Sequence, residues 1–373
     1  MARSVGGAMT QGVWAAPGRV NIIGEHTDYN GGYALPIALP QVVRCAAATE
    51  TDGRVRVTSR QHPGERIDVA VAELGRASVA GWARYPLGVV YEFQRRGHGI
   101  PGVTLELDGA VPIGAGLSSS AAVECAVALA LRDLFDLPVR VPELIDIART
   151  AENDYVGAPT GSLDQSAAML CTAGHALFLD FGKGDHEQVA FDLAGAGLEL
   201  LVVDTDTPHR MVDGEYARRR QQCEAAATAL GVATLREVAD PRAVDTLVDP
   251  LLRRRARHVV TENARVLAVA DALHTGADPR TIGPVLTVAH ASLRDDFEVS
   301  TPQLDTAVTT ALAAGALGAR MVGGGFGGSM VALTERGATE PIAEEVEKRF
   351  RDCGFAAPKW FVALPSPGAR RIS

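Results

Sequence analysis

Apolar and polar residues alternate along three early stretches, marked by Val55 and Val57, then Ile67, Val69 and Val71, then Val103, Leu105 and Leu107, with glycine or proline between them. A period of two places one face of each stretch on a core, so the first 110 residues are expected to be rich in strands. The period then changes. From Ser118 to about Phe135, Val123, Val127, Leu131 and Leu134 recur at helical spacing, and only Glu124, Arg132 and Asp133 carry charge. A helix that is apolar almost all round predicts burial. A second helix is predicted from Pro142, whose missing N–H costs nothing in a first turn; Leu144, Ile147, Ala148 and Ala151 share a face, and it ends before Gly157.

Strand patterns return at 175–181 and 198–204, and the segment 182–185 (Gly-Lys-Gly-Asp) is the best candidate for a junction between an N-terminal domain, 1–182, and a C-terminal domain, 183–373. Helices are expected at about 215–230, 256–274 and 302–314, followed by a glycine-rich break and short strands at 330–333 and 360–364. Strands and helices mix without regular alternation, which favours an α+β fold over a doubly wound sheet. The sequence contains neither an internal repeat nor a low-complexity tract.

With 373 residues, 47% of them hydrophobic and 22% charged, the chain has material for two domains with real cores. Its 36 basic against 45 acidic side chains give a net charge of −9, which argues against nucleic acid or an anionic membrane as partner. Any anionic ligand must therefore be met by a local site. The five cysteines are widely separated and form no C-x-x-C pair, so they read as reduced core residues. The first fifteen residues lack the apolar run of a secretory leader, and a soluble, cytoplasmic, monomeric protein is the expectation.

Residues 112–120, Pro-Ile-Gly-Ala-Gly-Leu-Ser-Ser-Ser, run straight into the apolar helix, where unpaired N–H groups and the helix dipole could receive an anion. A plain turn with a serine N-cap would look the same. The segment lacks the lysine of a Walker loop, and Ser119 stands where a dinucleotide fold needs its third glycine. Residues 16–37 crowd Arg19, Glu25, His26 and Asp28 among glycines, flanked by Val20, Ile22 and Ile23. Donors and acceptors mixed at such density suit a polyhydroxyl ligand, because each hydroxyl wants both kinds of partner. The run from Gly323 to Gly328 permits close backbone approach, or a tight turn between strands.

Residues 16–37 resemble the signature of the galactokinase family, and 112–120 resemble the second motif of the GHMP small-molecule kinase superfamily. Residues 157–165, Gly-Ala-Pro-Thr-Gly-Ser-Leu-Asp-Gln, resemble the segment that carries that superfamily's catalytic aspartate, and 321–329 its glycine-rich third motif. The resemblance implies a two-domain GHMP kinase-like fold with the active site in the interdomain cleft. It implies transfer of the ATP γ-phosphate to the anomeric hydroxyl of galactose, the entry step of galactose catabolism. Asp164 and Arg19 would be catalytic, and Glu25, His26, Thr27, Asp28, Gly161 and Tyr216 would bind the sugar. Gly114, Ala115, Gly116, Leu117, Ser118, Ser119 and Ser120 would cradle the nucleotide phosphates, with Ser59 touching the nucleotide. Ser120 and Glu152 would hold Mg²⁺. Glu152 also has an argument of its own, since the dipole opposes a carboxylate in a helix's last turn unless a cation is near or solvent screens it. Kinases for N-acetylgalactosamine or arabinose, and a non-catalytic sensor of galactose and ATP, are the alternatives; the intact run from Ser118 to Ala122 and the presence of Asp164 favour the enzyme.

Overall fold

The alternating stretches pair around one long apolar hairpin that local pattern did not reveal. The structure, a computed structural model, describes residues 10–75, 79, 81–207 and 214–373. The first half forms β1 (Gln11–Asn21), β2 (Tyr33–Ala34), β3 (Pro36–Thr49), β4 (Arg54–Ser59), β5 (Arg66–Ala70), α1 (Arg84–Arg95), β6 (Val103–Gly109), α2 (Ser119–Leu134), α3 (Val141–Thr150), α4 (Leu163–Leu170) and β7 (His175–Asp180). Then follow β8 (Asp185–Ala190), β9 (Leu198–Asp204), α5 (Glu215–Leu230), α6 (Pro250–His274), α7 (Gly283–Asp295), α8 (Pro302–Ala313), β10 (Gly318–Met321), β11 (Ser329–Glu335), α9 (Thr339–Cys353), β12 (Lys359–Ala363) and β13 (Arg370–Arg371).

Three sheets organise these elements, in the orders β13-β1-β3-β6-β4-β5, β10-β11-β9-β12 and β2-β7-β8. Strands β1 and β3 pair antiparallel from Gln11 against Ala48 to Asn21 against Pro36, with an irregularity between Pro17 and Arg19. Strand β1 loses the period of two because it is buried on both faces from Trp14 to Asn21, and β3 loses it only over its first four residues, alternating from Val43 to Ala48. Arg19 therefore sits on a strand, just past a bulge. Helix α2 crosses β1 and β3 with Ala121, Ala122, Ala126, Ala128 and Ala130 buried, small side chains that let it lie close to the sheet.

The helix predicted from Pro142 ends as expected at Gly157, but its last turn, Ala151–Val156, is a π-helical turn. Helix α6 begins at Pro250, earlier than its pattern indicated, because Asp249 caps it by accepting from the Leu251 N–H at 2.7 Å. In its first turns Arg255 is buried and spends its guanidinium on Gln222, the Asp296 carbonyl and Glu298. The segment 182–185 falls at a hairpin: residues 181–184 form the turn between β7 and β8, which pair from Asp180 against Asp185 to His175 against Ala190.

One apolar cluster lies between the first sheet and α1 to α3, and another between the second sheet and the C-terminal helices. A third draws Val20, Ile22, Leu35 and Leu117 from the first half together with Val202, Val266, Leu286 and Val322 from the second. The two halves thus share a core. Among the described residues no helix is long and apolar enough to cross a membrane.

Arg236, between α5 and α6, clamps the end of the polar loop. It forms a two-pronged ion pair with Asp180, donates to the Gly31 carbonyl at 3.0 Å and to the Tyr33 hydroxyl at 2.9 Å, and lies 4.4 Å over the Tyr33 ring. Burial raises the Asp180 pKa, but Arg236 and the backbone donors outweigh it and hold it below the usual range. A lowered carboxylate pKa contributes stability that is present above the unfolded value and lost as pH falls through the folded one. Arg236→Ala is expected to cost about 2–4 kcal/mol at pH 7, read from the urea midpoint, and the deficit should shrink below about pH 4 as Asp180 protonates.

Candidate active site

A cleft of about 370 Å³ opens between the two halves, lined by Arg19, the loop after β1, residues 113–114 and 116–120, Glu152, Thr160, Gly161, Leu163, Asp164 and, from the second half, Tyr216, Gly323 and Gly324. Its back wall explains why the glycine-serine segment can bind an anion. The Ala115 carbonyl accepts from the Ser329 hydroxyl at 2.7 Å, the Gly116 carbonyl from Arg19 Nη1 at 2.6 Å, and the Leu117 carbonyl from the Arg19 N–H at 3.1 Å. With these carbonyls paired, the N–H groups of residues 116–120 have no acceptor among the described residues. They and the start of α2 form a positive concavity. The third motif presses against it from behind. A Cβ at Gly323 would lie 2.9 Å from the Gly116 carbonyl oxygen, and one at Gly328 would lie 3.0 Å from that of Ala115.

Asp164, in the first turn of α4, faces this concavity with its side chain 22% exposed. Arg19 Nε and Nη2 both reach Asp164 Oδ1 at 2.8 Å, and Ser118 Oγ donates to Oδ2 at 2.5 Å. Burial works against the Arg19 charge, but the carboxylates of Asp164, Glu25 and Asp28 outweigh it and raise the guanidinium pKa.

The polar loop forms the opposite wall. Glu25 Oε1 accepts from the Gly323 N–H at 2.8 Å and pairs with wholly buried Arg320 at 3.3 Å, while burial nonetheless pushes its pKa up. His26 takes a left-handed φ of 62°. Its Nε2 lies 3.2 Å from the Gly324 carbonyl, to which it donates, and its Nδ1 lies 2.9 Å from the Tyr29 hydroxyl. The ring packs 5.3 Å from that of Tyr216 and 4.6 Å from that of Phe297. Burial, then the charges of Asp28, Asp164 and Glu25, raise the Tyr216 pKa well above 10, which keeps its hydroxyl a donor. Gly161 touches Asp28 so closely that a Cβ there would collide with the carboxylate.

Two expected ligands do not reach the cleft. Thr27 is wholly buried, with its hydroxyl within 2.9 Å of the Gly24 carbonyl and 2.6 Å of the Tyr33 carbonyl; it shapes the loop and does not line the cavity. Ala115 is likewise buried and contributes through its carbonyl. Gly114, Gly116, Leu117, Ser119, Ser120 and Ser59 line the cavity, and the Ser59 hydroxyl is 3.2 Å from Gln61.

Sequence reasoning missed the floor of the loop. Three buried side chains of α6 hold it: His258 Nε2 meets the Glu25 carbonyl at 3.1 Å, Glu262 accepts from the Gly24 N–H at 2.9 Å, and Asn263 from the Tyr33 N–H at 3.1 Å. Burial pushes the His258 pKa down to about 4, so the imidazole is neutral. Their spacing on one helix face was visible, but their partners lie more than 200 residues away. Also missed was the mouth, where His62 and Trp82 stack with ring planes 6° apart beside Tyr85 and the 69% exposed Ile113.

Beneath the serines, Glu152 is buried in the π-helical turn, accepts from Thr160 at 2.8 Å and Gln165 at 2.7 Å, and lies against Ser120. Gln165 also reaches Glu124 at 3.2 Å, and the buried Glu124 Oε1 has no hydrogen-bond partner among the described residues. Burial raises both carboxylate pKa values, with Asp164 adding to the effect at Glu152 and Glu152 adding to it at Glu124. The cluster is short of positive charge.

Asp28 is the most exposed to test. Burial, aided by Asp164 and Glu25, pushes its pKa from 3.8 up to about 6. A raised carboxylate pKa means the folded state favours the proton, so stability is full below the unfolded value and falls as pH rises through about 6. Asp28→Asn is therefore expected to stabilise the fold by about 2 kcal/mol above pH 7 and to change little below about pH 4, read from denaturant midpoints at the two pH values.

Comparison with known proteins bears on this geometry. Residues 3–49 match the galactokinase galactose-binding signature, 84–172 the GHMP kinases N terminal domain and 269–352 the GHMP kinases C terminal domain. The chain is 49% identical to a galactokinase of Streptomyces coelicolor over 99% of its own length and 96% of that protein's. It is 42% identical to a galactokinase of Mycobacterium bovis, covering 95% and 98%. The crystal structure of Lactococcus lactis galactokinase complexed with galactose superposes with a TM-score of 0.93 at 31% identity, covering 99% of this chain and 97% of that one. A mevalonate kinase structure shares the fold alone, with a TM-score of 0.67 at 14% identity over 96% and 98% of the two chains. A matching sugar signature and both kinase domains, with relatives this similar along almost the whole length, make the chain a member of the galactokinase family of GHMP kinases.

Proposed function

We propose that this chain transfers the γ-phosphoryl group of ATP to the C1 hydroxyl of galactose, giving galactose 1-phosphate and ADP. One observation carries the reading: Asp164, backed by Arg19, faces the same cleft as the free N–H groups at the start of α2. A hydroxyl nucleophile and a phosphate could be held there in line, which is most of what phosphoryl transfer requires of a protein. The C1 oxygen attacks the γ-phosphorus, the new O–P bond forms as the bond to the β-phosphate oxygen breaks, and the hydroxyl proton passes to Asp164. Arg19 has three of its five N–H donors spent on Asp164 and Gly116, so its chief task is to orient the acid and the loop while its charge faces the transferring group.

Glu25, His26, Asp28 and Tyr216 offer acceptors and donors on the facing wall, which suits a hexose. The stacked His62 and Trp82, with Tyr85, suit a nucleobase at the mouth. Ser120 and Glu152 fit Mg²⁺, since a buried carboxylate, a hydroxyl and an unpaired Glu124 oxygen behind them are hard donors short of positive charge. When bound, the ion would neutralise phosphate charge. Among the described residues no three His, Cys, Asp or Glu side chains could hold a metal by themselves, so phosphate and water oxygens would complete the shell. Residues 1–182 and 183–373 are the two halves of this reading, with β13 crossing back onto β1. Action as a monomer in the cytoplasm, where ATP is at hand, belongs to the same reading.

Release of ADP across a panel of aldoses, with the product analysed for a 1-phosphate, tests the reading. Galactose is expected to be the preferred acceptor, and a product phosphorylated at another position overturns it. Asp164→Asn should lower kcat by about 10³-fold while calorimetry still finds galactose bound; near-normal turnover would remove Asp164 from the chemistry. Glu152→Ala should raise the Mg²⁺ concentration for half-maximal rate by roughly 10-fold, and an unshifted titration counts against the ligand.

A further inference from the structure

Ser118 stands apart from the serines that follow it. It occupies the N-cap position of α2, where a serine hydroxyl ordinarily accepts from an N–H of the first turn, yet it makes no such bond. Its backbone is left-handed, with φ 60° and ψ 47°, a region that a residue with a side chain holds only when its surroundings impose it. The conformation carries the hydroxyl across to Asp164 Oδ2, 2.5 Å away and 46 residues on. Asp164 Oδ1 is already taken by Arg19, so the carboxylate is gripped by strand β1 through one oxygen and by the phosphate-loop segment through the other.

We infer that Ser118 is a positioning residue that sets the orientation of Asp164, and that its hydroxyl is not a ligand of the nucleotide phosphates. A serine hydroxyl has one hydrogen. Spent on Asp164, it leaves only lone pairs to turn toward a phosphate oxygen, which has only lone pairs itself. The loop meets the phosphate with backbone N–H groups, and Ser120 turns toward Glu152. Ser118 thus joins the nucleotide-binding segment to the acid, so that Asp164 Oδ2 and the incoming γ-phosphoryl group are held in one frame. This rests on the reading of Asp164 as the proton acceptor.

The test is steady-state kinetics of Ser118→Ala, Ser118→Gly, Asp164→Asn and Ser118→Ala/Asp164→Asn in the full chain, with ADP affinity from calorimetry and folding checked by thermal melts. Ser118→Ala is expected to lower kcat by roughly 10- to 100-fold with the KM for ATP and the Kd for ADP within about 3-fold. Ser118→Gly relieves the left-handed backbone but lacks the hydroxyl, so it should be as slow as Ser118→Ala. In the Asp164→Asn background, Ser118→Ala should cost little more, since the two act as one unit. Retained kcat with weakened ATP and ADP binding makes Ser118 a phosphate ligand and overturns the inference. Parental kcat in Ser118→Gly reduces its role to backbone shape and does the same. Full turnover by Asp164→Asn removes the reading beneath it as well, whereas an inactive Asp164→Asn beside an unimpaired Ser118→Ala sinks this inference alone.

Discussion

A single buried guanidinium organises the cleft. Arg19 is 6% exposed, and taking such a charge out of water is tolerable only where other groups replace the water. Asp164 and the Gly116 carbonyl do so directly, and Glu25 and Asp28 add field from the sugar side. Because Arg19 is on a strand fixed on both faces, its position is set by the sheet and not by a loop. The acid it holds and the loop it pins inherit that rigidity, which is what positioning a nucleophile against a phosphate demands.

The same loop is completed from the other half of the chain. Ser329 takes the Ala115 carbonyl, Gly323 and Gly328 allow the third motif to lie against it, and the Gly323 N–H and Gly324 carbonyl are read by Glu25 and His26. One glycine run therefore touches both the phosphate wall and the polar wall. Shared core residues such as Ile22, Leu117, Val266 and Val322 lie beneath this contact.

The polar wall depends on buried hydrogen bonds that serve no ligand directly. His258, Glu262 and Asn263 satisfy or use backbone groups of the loop, and Arg320 pairs with Glu25 while donating to the Asn21 and Ile22 carbonyls. Such groups gain little net stability over apolar packing. Their value is in specifying one loop conformation, including the left-handed His26, so that the side chains facing the cleft need not be ordered by the ligand.

Much of this was legible beforehand. The period of α2, the proline start and glycine end of α3, and the motifs bearing Arg19, Glu25, Asp28, Asp164 and the serines are local facts, written within a turn or two of chain. Strand β1 was not legible, because burial on both faces erases alternation, and the burial of Arg255 was not, because its partners come from distant segments. The amino-acid order alone determined which chemistry was available: an acid, a guanidinium, a row of serines after glycines, and a loop of mixed donors and acceptors. Tertiary structure alone decided the assignments. It turned Thr27 and the Ala115 side chain away from the cleft, gave the Ser118 hydroxyl to Asp164, and set α6 beneath the loop. Those outcomes depend on contacts such as Arg19 with Asp164, 145 residues apart, and separation of that order is bridged by packing, about which local spacing carries no information.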